Sequence, residues 1–146
     1  MPVKEIVLMR GLPGSGKTTR AQELGGIICS ADDYRIDETG NYFFNPFLTG
    51  ECLRKCEEKC LHSILKNCNF IIIDNMNLHS FCVIPYLYLS ASFGYDIRFE
   101  DIRTDLSDGE LSARSVHGIS ASAIRNIRAR ANWDSIETYY YNERFS

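Results

Sequence analysis

Ile6-Val-Leu-Met9 runs almost directly into Gly11-Leu-Pro-Gly-Ser-Gly-Lys17-Thr18, and the order of those two pieces decides the fold. An all-apolar run that ends at a glycine-rich turn is expected of a buried parallel strand feeding a helix. Gly11, Gly14 and Gly16 let the backbone curl so that successive N–H groups point inward at phosphate oxygens, a path that side chains would obstruct. Lys17 then reaches the β- and γ-phosphates, Thr18 ligates magnesium, and the following helix turns its positive end toward the anion. The stretch reads as a P-loop, which implies binding of a nucleoside triphosphate with magnesium through Leu12, Pro13, Gly14, Ser15, Gly16, Lys17, Thr18 and Thr19.

Outward from the loop, strands and helices alternate. Thr18 to Leu24 is expected to be a helix stopped by Gly25-Gly26, and Ile27-Ile28-Cys29 a short second strand. Ser30 can cap a helical turn that carries Asp32 and Asp33 near its positive end. Residues 37–49 read as a loop whose aromatics, Tyr42, Phe43, Phe44 and Phe47, are expected to close a core in preference to stacking a base. Leu53, Cys56, Cys60, Leu61 and Ile64 mark an amphipathic helix over 51–65, and Phe70-Ile-Ile-Ile73 is a strand ending at Asp74. Residues 84–93 are expected to be helical with Pro85 in the first turn, and 94–102 a half-exposed edge strand. Helices at 105–114 and 120–131 flank Val116-His117-Gly118. The pattern implies an α/β, three-layer P-loop kinase fold with a four- or five-stranded, mainly parallel sheet and helices on both faces. The kinase domain is expected over 1–135, followed by a tail over 136–146, with Tyr139 to Tyr141, that is either docked or frayed.

At 146 residues and 45% hydrophobic, the chain suits one ordinary domain. Its formal charge of −3 gives no whole-surface attraction for nucleic acid, so such binding would need a local basic patch. Between Glu110 and Asp134 there is no acidic residue, yet Arg114, His117, Arg125, Arg128 and Arg130 all occur. For Arg128 and Arg130 a solvated helical face is the favoured reading. No apolar stretch is long enough for a membrane span, and Met-Pro-Val-Lys-Glu lacks the order of a secretory signal. A soluble, intracellular protein of cytoplasm or nucleus, without a membrane partner, is expected. The six cysteines lack zinc-ligand spacing and read as buried free thiols.

Four side chains outside the loop carry candidate chemistry. Asp74, directly after its apolar strand, sits where P-loop enzymes place the acid that holds magnesium or its water, a reading favoured over a carboxylate capping the next turn. Asp32 and Arg35 would project from one face of a helical turn. They are either a surface ion pair of little consequence or a base for a hydroxyl proton with a cation to place the acceptor. Asp33 is rotated about 100° away and is set aside as the base. Arg114, ending a helix before a glycine-containing loop, could neutralise charge on a transferred phosphoryl group. His62, His79 and His117 lack the spacing of a metal site or a nucleophile–base pair and receive no catalytic role.

Together these stretches resemble a known family, the P-loop polynucleotide 5′-kinases, which include the kinase domain of bacteriophage polynucleotide kinase and its small eukaryotic relatives. The resemblance rests on Gly11-Leu-Pro-Gly-Ser-Gly-Lys-Thr-Thr19, Ser30-Ala-Asp-Asp-Tyr-Arg35, Phe70-Ile-Ile-Ile-Asp-Asn-Met-Asn77 and Arg114-Ser-Val-His-Gly118, in that order. It implies transfer of the γ-phosphate of ATP, with Mg²⁺, to a 5′-hydroxyl of DNA or RNA. By the same resemblance Asp32 is the general base, Arg35 contacts the acceptor's phosphate, and Arg114 is a lid arginine on the donor phosphates. Met76 stands where the family has threonine. The Asp-x-Asp-Gly-Thr phosphatase motif of the bifunctional members does not occur in the sequence.

Overall fold

The computed structural model describes residues 3–133; the expected tail and its tyrosines lie outside them. Four strands, Glu5–Gly11 (β1), Ile27–Cys29 (β2), Phe70–Asp74 (β3) and Asp96–Ile102 (β4), form one sheet in the order β2-β3-β1-β4. Every neighbouring pair is parallel. Strand β1 occupies the interior because Ile6, Val7, Leu8 and Met9 are apolar on both faces, and all four are 0% exposed. An edge position would leave half of that surface wet, at about 1.5–3 kcal/mol per large side chain.

Helices Lys17–Leu24 (α1), Thr49–Leu65 (α2), Ser80–Phe93 (α3), Asp108–Arg114 (α4) and Ala121–Arg130 (α5) complete the layers. Alternation along the strands divides the core. Ile6 and Leu8, with Ile71 and Ile73, pack on one face with Cys56, Cys60 and Ile64 of α2 and Val83, Tyr86 and Leu87 of α3. Val7, Met9 and Ile72 pack on the other with Ala21 and Leu24 of α1. All six cysteines are free thiols, four of them buried. Burial pushes the Cys29 thiol up to about 12, so it packs as a small apolar group.

A third cluster joins Leu12 of the P-loop to Leu78, Leu111 of α4 and Ile124 of α5, so the last two helices are seated on the loop itself. Arg10 on β1 is 0% exposed. It donates from Nε and Nη2 to both carboxylate oxygens of Asp101 on β4, at 2.7 and 2.8 Å, and lies over the Phe99 ring. A buried charge is tolerated only with such pairing.

Several boundaries differ from those expected. Helix α3 begins at Ser80 rather than at 84, so Pro85 is inside the helix. The missing N–H and the ring clash cost about 3 kcal/mol in a free helix, but Val83, Tyr86 and Leu87 anchor α3 on the sheet from both sides of the proline. Helix α4 starts only at Asp108, because Ser107 and Glu110 form a reciprocal capping box. Within the stretch expected to be loop, Pro46–Leu48 makes a 3-10 turn capped by Asn45, and α2 follows from Thr49. Strand β4 is an edge strand, as expected, with Ile97 buried and its flanks partly exposed. Among the described residues no helix is long and apolar enough to cross a membrane.

Candidate functional site

The P-loop, the start of the turn after β2 and the end of β3 all lie at the carboxyl edge of the sheet, where ligands of open α/β sheets bind. Gly14 and Gly16 have φ of +78° and +102°, values that side chains resist. A Cβ on Gly14 would also fall 2.4 Å from the carbonyl oxygen of Leu111, so the residue is needed for the close seat of α4 as well as for the turn. The Ser15 hydroxyl is buried without a hydrogen-bond partner, an orphan inside the curl that a phosphate oxygen would satisfy.

Lys17 is curled back over the loop, donating from Nζ to the Leu12 carbonyl at 3.0 Å. Burial pushes its ammonium below the ordinary range, opposed by the charges of Asp74 and Asp32. Thr18 donates its hydroxyl to Asp74 Oδ2 at 2.8 Å. Burial pushes the Asp74 carboxyl up, opposed by that bond and by Lys17. The alternative of Asp74 as a cap does not describe this contact, since its hydrogen-bond partner is across the cleft on α1.

The two asparagines after Asp74 do the positioning. Asn75 Oδ1 accepts from the Ala31 N–H at 2.9 Å, which pins the turn carrying Asp32 to the end of β3. Asn77, 1% exposed and in the left-handed region at φ +53°, donates to the Met9 carbonyl at 2.6 Å. The Gly11 N–H in turn donates to the Met76 carbonyl at 3.1 Å. Asp74 is thereby registered against the P-loop by backbone and amide bonds of Met76 and Asn77, the residues that follow it.

Ala31–Tyr34 is a 3-10 turn whose N-cap, Ser30, accepts from the Asp32 N–H. In this tighter turn positions i and i+3 eclipse, which is why Arg35 Nε comes within 3.3 Å of Asp32 Oδ1. The Arg35 side chain is only 10% exposed. Both Nη atoms donate to Thr49 Oγ1 at 3.3 Å, and the plane lies over the Phe44 ring at 4.8 Å. Asp32 keeps 51% of its side chain open to solvent.

The aromatic loop corrects the sequence expectation. Phe43, Phe44 and Phe47 are exposed, Phe47 to 94%, and Phe44 lies against the Arg35 guanidinium instead of closing a core. The reason is topological: cysteines and aliphatic residues of α2 already fill that face of the sheet, and Asp37 folds the preceding chain into a tight turn with Thr39 and Asn41.

Arg114 stands exposed in the last turn of α4, one turn beyond the Leu111 seat on the P-loop. No hydrogen bond or ion pair joins it to the loop among the described residues. Arg125 and Arg128 of α5 both face Asp108 of α4, at 3.7 and 3.1 Å, the solvated-face behaviour expected for Arg128. His117, left without a role in the sequence reading, reaches Asp32 Oδ2 from Nε2 at 3.6 Å and stacks on Tyr42. Its position after Arg114 was the only hint in the sequence. Nothing in the spacing of Thr49 or Asn75 announced their contacts.

The arrangement fits magnesium and a triphosphate. A hydroxyl and a carboxylate already in contact, Thr18 and Asp74, are the one or two hard oxygen donors that Mg²⁺ takes when phosphates supply the rest. The orphaned Ser15 hydroxyl and the glycine cradle are matched to those phosphates.

No family model matches the chain. Over 129 residues, 84% of the chain, it is 36% identical to human NEDD4-binding protein 2, and it spans 7% of that protein's length. It superposes on a chain of the Pnkp1/Rnl/Hen1 RNA repair complex with a TM-score of 0.70 at 22% identity, covering 95% of this chain and 47% of that one. It likewise resembles the Mycobacterium tuberculosis APS kinase CysC in complex with AMPPNP and APS, with a TM-score of 0.52 at 21% identity, covering 75% and 68%. The fold of this chain is that of the P-loop kinases.

Proposed function

We propose that the chain is an ATP-dependent phosphotransferase that moves the γ-phosphate to a hydroxyl, and that its acceptor is the 5′-hydroxyl of DNA or RNA. The observation that carries the reading is the placing of Asp32. Its half-exposed carboxylate is held by Arg35 at 3.3 Å, and Asn75 pins its turn to the end of β3, next to Asp74. A base and a cation anchored beside a triphosphate site are what transfer to an alcohol needs.

In this reading the backbone of Leu12 to Thr19 binds ATP, Lys17 balances charge on the transferred group, and Thr18 with Asp74 holds magnesium. Magnesium, when bound, neutralises charge on the β- and γ-phosphates. Asp32 takes the hydroxyl proton while Arg35 binds the acceptor's phosphate. Arg114, on the helix seated against Gly14, swings toward the donor phosphates from the lid. Exposed Phe43, Phe44 and Phe47 offer faces on which bases of a single strand can stack. Residues 1–135 act as the kinase domain, with 136–146 as its tail. The likeness to a chain of an RNA repair complex and the family resemblance of the four motifs support the nucleic-acid acceptor.

The test offers γ-labelled ATP and magnesium with 5′-hydroxyl DNA, 5′-hydroxyl RNA, nucleosides and small alcohols in separate reactions. Label is expected on the polynucleotide 5′ ends, and Asp32→Asn is expected to lower transfer by about 10² to 10⁴ with ATP affinity unchanged. Label on a nucleoside, modified base or small hydroxyl compound would move the acceptor. ATP binding with no transfer to anything would make the chain a nucleotide-dependent binding module, and full turnover in Asp32→Asn would displace the base.

A further inference from the structure

His117 sits in the segment between α4 and α5, beside Val116, which is 90% exposed. Yet its own side chain is only 30% exposed, because it is held on two sides. On one, Nε2 lies 3.6 Å from Asp32 Oδ2. On the other, the Tyr42 ring stacks on the imidazole with centroids 3.8 Å apart and planes 12° from parallel. Tyr42 is itself fixed by a backbone bridge to Ile36, the residue directly after Arg35.

Asp32 is therefore contacted through both oxygens by nitrogens of different elements, Arg35 on Oδ1 and His117 on Oδ2. A carboxylate tied through one oxygen can still swing about its last torsion; one tied through both has its plane defined. The 3.6 Å separation is a few tenths of an ångström longer than a hydrogen bond. Contacts of this kind commonly lengthen without substrate and tighten with it. The segment of His117 begins directly after Arg114, the last residue of α4, and α4 is seated on the P-loop at Gly14. Whatever orders that segment over the donor thus acts on the base as well.

Resting on the reading of Asp32 as the base, we infer that His117 is a positioning residue for the transfer. Its Nε2–H orients the Asp32 carboxylate toward the acceptor hydroxyl, and Tyr42 backs the imidazole in place. It touches neither the donor nor the reacting atoms, so its loss should appear in kcat and not in the affinity for ATP.

The experiment uses the full chain with magnesium, labelled ATP and a 5′-hydroxyl oligonucleotide, and thermal melts to check that each variant is folded. His117→Ala is expected to lower kcat by about 10- to 100-fold, the scale of a misplaced catalytic group, with ATP affinity unchanged. His117→Gln, whose amide can donate to the same oxygen, is expected to recover most of that loss. On an Asp32→Asn background His117→Ala is expected to slow transfer no further. Wild-type kcat in His117→Ala, no recovery in His117→Gln, or an additional loss on the Asp32→Asn background would each overturn the inference. Turnover retained by Asp32→Asn with His117 intact is a different outcome, which removes the base itself. Absence of transfer by the unmodified chain to every acceptor removes both.

Discussion

Thr18 donates its hydroxyl to Asp74 at 2.8 Å, joining the first turn of α1 to the end of β3 across the cleft. The bond keeps a buried carboxylate next to a buried ammonium, Lys17, in a state where burial works against both charges. Such a pair is costly to fold and useful only when a charged ligand arrives.

The first prediction follows from that cost. Because burial raises the Asp74 carboxyl above its ordinary 3.8, the stability it lends is present when it is protonated and is lost as pH rises through the raised value. Asp74→Asn should therefore melt higher than the unmodified chain at neutral pH, and the gain should vanish below about pH 4, where the native carboxyl is protonated in either state. The same variant should lose transfer by about 100-fold or more and need more magnesium for half-maximal rate. Melting curves across pH and a magnesium titration of turnover check the two halves.

Gly14→Ala should be destabilising and should loosen the nucleotide site. Its φ of +78° and the 2.4 Å approach to the Leu111 oxygen force either the turn or α4 to move. Strain and overpacking of this kind cost about 1–3 kcal/mol each. Urea denaturation measures the first effect and equilibrium ATP binding the second; an unchanged ATP affinity would show that α4 yields without disturbing the loop.

Asn75→Ala removes the acceptor for the Ala31 N–H and so frees the turn that carries Asp32. A loss of about 1–3 kcal/mol in stability should accompany a fall in kcat of roughly tenfold or more, with ATP affinity little altered. Steady-state kinetics with both substrates varied separates this from a general weakening of the site.

Arg35→Lys keeps the charge but not the fork. One ammonium cannot reproduce the contacts to Asp32 and Thr49 and the stacking on Phe44 together. The KM for a 5′-hydroxyl oligonucleotide should rise by about tenfold or more, while ATP affinity stays as it was. A variant with an unaltered acceptor KM would place the acceptor's phosphate elsewhere.

Much of the donor side was legible in the sequence because it depends on neighbours along the chain. Glycines at the two P-loop positions with a positive φ, Gly14 and Gly16, a strand apolar on both faces and an aspartate at a strand end are local signals, and each stands where the reading put it. Helix starts were less legible. The beginnings of α3 and α4 were misplaced because packing of Tyr86 and Leu87 carried a helix through Pro85, and because a capping box outranked the hydrophobic pattern at Ser107.

The sequence by itself determined the P-loop, the parallel sheet, and the placing of Lys17, Asp32 and Asp74 at the carboxyl ends of β1, β2 and β3. Only the tertiary structure decided that the aromatic loop lies open beside Arg35, that Asn75 holds the turn of Asp32, and that His117 reaches the same carboxylate from the far end of the chain. Periodicity and turn chemistry are properties of adjacent residues. The His117 contact exists because Leu12, Leu111 and Ile124 bury one another, and that packing sets two distant loops face to face.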